Sequence, residues 1–198
     1  MMLTTLSQQC APQVAPATMS AIVRVESGGN PLAMWNNTTS QRILPTTLQQ
    51  AQAYLARAMA AGDKVDVGIA QVDVENFAAY GLTLNNAFDA CANLRVGAEI
   101  LHSAYQTAAA HFGPGQLALY HAFEAYNSGQ LWGDAHYANQ VLRAAGLPVR
   151  VGSGGGLSYV QRPNMPLVFF VTSWGAGTKK GTVAQTKPVQ GIVYAVNW

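Results

Sequence analysis

The sequence predicts a mainly helical domain with one short strand-bearing segment, followed by a glycine-linked C-terminal tail. Three observations carry this expectation. Apolar residues recur at helical spacing in successive runs up to about residue 147. Within that region "KVDVGIAQVD" (64–73) reads as the only strand-like piece, alternating Val65, Val67 and Ile69. Beyond it the composition shifts: "VGSGGG" (151–156) is a flexible linker by content, and the remainder is poor in acid, rich in Gly, Thr and Val, and without helical period. The boundaries expected are a domain over 10–147, a linker over 148–157 and a tail over 158–198 that is extended or disordered.

Each element has its own signal. From Pro16 to Gly29, Met19, Ile22 and Val23 form a helical stripe, with Thr18 as a plausible N-cap and Gly28–Gly29 as the stop. "PTTLQQAQAYLARAMAAGD" follows, capped by Thr46 or Thr47, striped by Leu48, Ala51, Leu55 and Met59, and stopped at Gly62. Asp73 can cap a short helix through "VENFAAYG". Asp89 caps the longest one, with Leu94, Ala98, Leu101, Tyr105, Ala108 and Phe112 on one face, until "GPG" (113–115) breaks it. A helix over 116–127 turns Leu117, Tyr120 and Phe123 inward, and a last one runs from about His136 to Ala145. The N-terminal "MMLTTLSQQC" gives no clear signal.

The totals exclude several functions. The 198 residues suit one well-cored domain plus a tail. Charged residues are 10% of the chain and the net charge is +2, with no basic stripe to neutralise phosphates, so nucleic acid is not an expected partner. "PLVFFV" is far shorter than the ~18 apolar residues that span a bilayer, so no membrane span is expected. The four histidines, at 102, 111, 121 and 136, match no metal-binding spacing and read as helix-surface residues. Neither a metal nor a cofactor is therefore expected. Cys10 and Cys91 form a disulfide if the protein is secreted, or stand as buried free thiols if it is not. No charged start and apolar stretch of a signal peptide opens the chain. Another export route, a leader already removed, or an intracellular home all fit that observation.

Glu26 is the only acidic residue among the first 31 and closes the first helical run. Continuing the stripe from Met19 by seven residues lands on it, which places it on the core side at the last helical turn. Desolvation and the partial negative charge of a helix C-terminus both disfavour its ionised form, and a carboxyl of raised pKa suits a general acid at neutral pH. The plainer alternative is a surface carboxylate at a helix end. Three motifs then line up in order: "ESGGNPLA" (26–33), "GIAQV" (68–72) and "AYNSG" (125–129).

This ordered set resembles the lytic transglycosylase family with a goose-type-lysozyme-like fold. Within that family it is closest to the small peptidoglycan-cleaving enzymes associated with type IV secretion and conjugation. The resemblance covers about residues 10–147, including "CAP" (10–12) and "FDACANLRVGAEIL" around Cys91. It implies a lysozyme-like α+β domain with a glycan cleft, a Cys10–Cys91 disulfide and a periplasmic home. Glu26 matches the family's single catalytic acid and Ser27 the serine that helps position the carboxyl or a substrate group. Gln71 matches the glutamine facing the sugar groove, and Tyr126 and Asn127 its aromatic and amide lining. Two positions depart from the pattern: Ala70 stands where the family usually has glycine or a bulkier residue, and Glu124 where it has an apolar or small one. The helix stripe puts Glu124 at the edge of the inner face, where solvent exposure is expected.

Glycosidases that retain or invert by the ordinary routes need two carboxyl groups at set separations. The acids nearest Glu26 in sequence, Asp63, Asp66, Asp73 and Glu75, sit in no motif. Substrate-assisted cleavage of the MurNAc–GlcNAc bond, ending in a 1,6-anhydro sugar, needs only one. Hydrolysis of the muramidase type and a non-catalytic glycan-binding or assembly role are the alternatives. Peptidoglycan strands are the partner implied, with type IV secretion components reached through the tail, and the chain is expected to be a monomer.

Overall fold

The computed structural model describes residues 3–146, together with the backbone of four short strands further on. The linker and tail expected over 148–157 and 158–198 otherwise lie outside the described residues. The chain divides into two compact units, Met1–Ser103 and Ala104–Trp198.

The first unit begins with helix α1, Leu3–Cys10, packed on α2, Pro16–Glu26. Sequence reading missed α1 because two of its inward positions are Ser7 and Cys10, neither of which counts toward an apolar stripe. Ser7 is buried with its hydroxyl 3.4 Å from that of Ser20 on α2. Helix α2 starts two residues before the expected cap. Pro16 occupies the first turn, where its missing N–H costs nothing, and Thr18 is buried inside the helix rather than capping it. Gly28 and Gly29, at φ +64° and +89°, then turn the chain out of the helix.

A four-stranded antiparallel sheet follows in the order β2–β1–β3–β4, from β1 (Met34–Asn36), β2 (Gln41–Ile43), β3 (Val65–Val67) and β4 (Val72–Asp73). β3 and β4 fall within the strand-bearing segment expected over 64–73, whereas β1 and β2 lie outside it. In β1 one inward residue is Asn36, a polar side chain that disguises the alternation. It is buried because its amide donates to Tyr54 Oη and Asp63 Oδ2, both at 2.9 Å, and accepts from Thr39 N at 3.0 Å. Those bonds fasten the sheet to α3, Leu48–Ala61, and to the turn after it.

Helix α3 is capped by Thr47, which accepts from Gln50 N, and ended by Gly62 in the left-handed conformation, as expected. Its buried face is Ala51, Leu55 and Ala58, so Leu48 and Met59 are exposed rather than inward. Asp73 caps the 3-10 turn Val74–Asn76 ahead of α4, Phe77–Tyr80. Asp89 accepts from Ala92 N at the start of α5, Ala90–Phe112. The stripe Leu94, Ala98, Leu101, Tyr105 and Ala108 is buried throughout, with Phe112 half-buried at its end. Among the described residues no helix is long and apolar enough to cross a membrane.

The second unit contains α6, Gln116–Ser128, packed on α7, Ala135–Ala144. Tyr120 and Phe123 are buried, but Leu117 is exposed and the inward face is completed by Ala118, Leu119 and Ala122. Beyond these, β5 (Val149–Val151) pairs antiparallel with β6 (Leu157–Tyr159), and β7 (Phe170–Val171) parallel with β8 (Val196–Asn197).

Cys10 and Cys91 form a disulfide that joins α1 to the first turn of α5 across a sequence separation of 81 residues. Closing so long a loop restricts the unfolded chain by roughly 4 to 5 kcal/mol in the entropy model. Reduction, or a Cys91→Ala substitution, is expected to lower the denaturation midpoint by a large fraction of the total stability. Urea unfolding with and without reductant checks this, and equal midpoints would mean that the cross-link adds nothing.

Candidate active site

In the first unit, two of the three sequence motifs are locked together by short hydrogen bonds. Glu26 is the last residue of α2 and is half-buried, less enclosed than a position on the core stripe would be. Ser27 follows and is 4% exposed. Its hydroxyl donates to Ile69 O at 2.7 Å and accepts from Gly29 N at 3.1 Å. Gly68 N and the Gln71 amide both donate to Ala33 O, at 2.8 and 2.9 Å. "ESGGNPLA" is thus fastened at both its ends to "GIAQV", and the serine braces the backbone beside the acid through a buried hydroxyl.

The loop that carries Gln71 is held by a residue that no sequence pattern singles out. Asn93, on α5, is 0% exposed and spends its whole amide on this loop and its flanks. Its Oδ1 accepts from Ala70 N at 2.8 Å, and its Nδ2 donates to Val67 O at 2.8 Å and Ala87 O at 3.0 Å. Gly68 makes room for it. A Cβ there would fall 2.5 Å from Asn93 Nδ2 and 2.8 Å from Ala87 O, at a φ of +84° that already disfavours side chains. Gln71 also has positive φ, +49°. Its half-buried amide donates both hydrogens to backbone, the second to Gly68 O at 2.7 Å, so the group it has left to offer a ligand is the acceptor Oε1.

The four acids that could have supplied a second carboxylate each have a structural partner. Asp63 accepts from Asn36, and Asp66 from Asn37 at 2.9 Å. Asp73 caps Glu75 N, while Glu75 pairs with Lys64 at 2.9 Å. Asp66 and Asp73 lie directly opposite each other in the β3–β4 register. Burial pushes the Asp66 carboxyl up to about 6, opposed by the Asn37 hydrogen bond and reinforced by Asp73. Asp73 is raised as well, chiefly by burial.

In the second unit, Tyr126 and Asn127 sit in the last turn of α6. Tyr126 is half-buried, its ring parallel to that of Tyr137 with centroids 6.3 Å apart. Asn127 is exposed and donates to Asp134 Oδ2 at 2.9 Å. The other oxygen of Asp134 accepts from Tyr137 N, capping α7. One carboxylate therefore joins the motif to the next helix. Glu124, expected to face solvent, is 4% exposed, with Oε2 at 2.6 Å from His121 Nδ1. Among the described residues no cluster of His, Cys, Asp and Glu could hold a metal.

The family model for the transglycosylase SLT domain matches residues 4–140. The chain belongs to that family. Similar curated proteins include the type IV secretion system protein virB1 of Brucella abortus biovar 1, 43% identical over 131 residues, which make up 65% of this chain and 54% of that protein. Protein virB1 of Agrobacterium fabrum is 38% identical over 126 residues (62% and 50%), and that of Rhizobium radiobacter 36% over 124 (63% and 52%). The chain spans about half the length of the curated relatives it matches. No solved structure matches it.

Two consequences for this SLT domain can be measured. Asn93→Ala removes three buried hydrogen bonds, each with a net worth of about 0.5 to 1.5 kcal/mol. A loss of several kcal/mol in urea unfolding is expected, and a loss below about 1 kcal/mol would show that the clamp is dispensable. The Asp66 carboxyl favours its protonated form in the fold, so its stabilisation is complete below its ordinary value of 3.8 and is lost as pH rises through about 6. Asp66→Asn is therefore expected to raise the thermal midpoint relative to the parent at pH 7.5, with the gain shrinking by pH 4. A gain independent of pH would remove this carboxyl as the cause.

Proposed function

We propose that the chain is a peptidoglycan lytic transglycosylase with Glu26 as its only catalytic carboxyl. The observation that carries this reading is the end of α2, where Glu26 directly precedes Ser27, whose buried hydroxyl ties that helix end to the loop bearing Gln71. Asp63, Asp66, Asp73 and Glu75, which sit in no motif, bond to the sheet and its turns. A site with one carboxyl cannot follow the two-carboxyl routes and calls for help from the substrate.

In the proposed reaction, the protonated Glu26 gives its proton to the glycosidic oxygen between MurNAc and GlcNAc as that bond breaks. The sugar's N-acetyl oxygen supports the developing positive charge at C1. The carboxylate so formed takes the proton of the muramic 6-hydroxyl, whose oxygen attacks C1 and closes the 1,6-anhydro ring. The proton balance closes on Glu26 and no water is consumed. Ser27 acts as a positioning residue, while Gln71 Oε1, Tyr126 and Asn127 are the proposed contacts to sugar.

The similarity to type IV secretion proteins supports a role in opening the wall locally for such an apparatus. The Cys10–Cys91 disulfide supports an oxidising compartment such as the periplasm. Mass spectrometry of purified peptidoglycan digested by the protein, beside Glu26→Gln, tests the proposal. Anhydro-muramic ends are expected from the parent and none from the variant. Reducing ends would mean hydrolysis at the same site, and intact glycan from both would leave a binding or assembly role.

A further inference from the structure

Trp132 lies in the loop that joins α6 to α7 and is 67% exposed. Leaving an indole in water is unfavourable, and this one is not left loose. The rings of Phe112, His121 and His111 approach it at 5.5, 5.8 and 6.0 Å, inclined by 70°, 54° and 66°. None of these three rings lies flat on it. His121 itself stacks on Phe112 at 4.2 Å and 16°.

The loop beneath is tied down residue by residue. His121 Nδ1 lies 2.7 Å from Leu131 O and 2.6 Å from Glu124 Oε2. A carbonyl only accepts, so Nδ1 carries the hydrogen and shares it between the two oxygens. Ser128 Oγ donates to Glu124 O at 2.7 Å and accepts from Gln130 N at 3.2 Å. Gly133 fits because a Cβ there would fall 1.7 Å from Ser128 Oγ. The buried Glu124, unexplained by the family pattern, thus holds the histidine that fixes the residue before Trp132.

We propose that Trp132 is a preorganised platform for a pyranose ring of the glycan strand, extending the sugar-binding surface of Tyr126 and Asn127. The proposal rests on the transglycosylase reading above. Proximity along the chain supports the choice of occupant: Asn127 sits in the last turn of α6, Trp132 lies in the loop that follows, and the Asn127–Asp134 hydrogen bond spans that loop. So does the chemistry of the rim. The exposed residues nearest in sequence are Gln130 and Gly133, and His111 is exposed beside the ring. A sugar presents C–H groups to an aromatic face and hydroxyls to such polar neighbours. A protein-docking patch would gather further exposed apolar side chains, yet in the described part of this unit the other large one is Leu117, at the far end of α6.

The test uses the full chain with Glu26→Gln, so that glycan is bound without being cut. Co-sedimentation with purified sacculi is expected to weaken about tenfold on adding Trp132→Ala, the size of one aromatic-face contact, and to recover largely with Trp132→Phe. In the Glu26→Gln protein itself, soluble GlcNAc–MurNAc strands are expected to protect Trp132 from N-bromosuccinimide oxidation, read by peptide mass mapping. That readout does not depend on how the alanine variant folds. Unchanged sedimentation together with unprotected Trp132 overturns the platform. If the parent still releases anhydro ends in that case, the transglycosylase reading survives it. Loss of self-association on gel filtration with glycan binding intact would make Trp132 a protein contact and also overturn the proposal.

Discussion

The first unit is organised around a buried side-chain amide that bonds three backbone groups: Val67 O at the end of β3, Ala70 N in the turn after it, and Ala87 O ahead of α5. Without Asn93, the turn after β3 would lose the buried side chain that ties it to α5. The clamp imposes glycine at 68, since any Cβ would displace the amide. It also fixes the direction in which the chain leaves the turn, and so the placement of Gln71. The acid-bearing end of α2 is attached to the same loop through Ser27 and Ala33. Position of the acid, course of the loop and orientation of the glutamine amide are therefore a single structural problem with one solution.

Polar side chains perform that kind of work throughout the described residues. Asn36 joins sheet to helix, Asp134 joins α6 to α7, and His121 with Glu124 joins α6 to the loop beyond it. A chain with only 10% charged residues can bury groups such as Asn36 and Glu124 because each is hydrogen-bonded. Charge is sparse, and much of what there is has a structural task. This is why the acid cluster around β3 and β4 adds to the frame rather than to the proposed chemistry.

The same feature explains what could be read from the sequence. Helices α2, α3, α5, α6 and α7 were legible because their buried faces repeat at helical spacing and their ends carry Thr47, Gly62, Asp89 or Gly129 as punctuation. Strands β1 and β2 were not, being three residues long with Asn36 inward on one and little burial on the other. Helix α1 was hidden by Ser7 and Cys10. The three motifs were visible as short patterns, and Glu26, Ser27 and Gln71 fall where the first two meet. Asn93 and Asp134 were invisible because their significance lies in backbone groups far along the chain, which no local pattern records. Glu124 was misread for a related reason: helical periodicity measures hydrophobicity, and cannot register a carboxylate whose burial is compensated by a histidine three residues earlier.

A loop held this firmly has a bearing on specificity. Glycan strands are flexible polymers, and ordering both protein and sugar on binding would cost more entropy than a few polar contacts return. On the function proposed above, Gln71 on its clamped turn, and Trp132 on the tied loop after Asn127, would confine that cost to the sugar. On this reading the frame residues govern how tightly glycan is gripped, while Glu26 governs whether it is cut. Substitutions at Asn93 and Glu124 would then weaken binding and stability together, whereas Glu26→Gln would act on turnover.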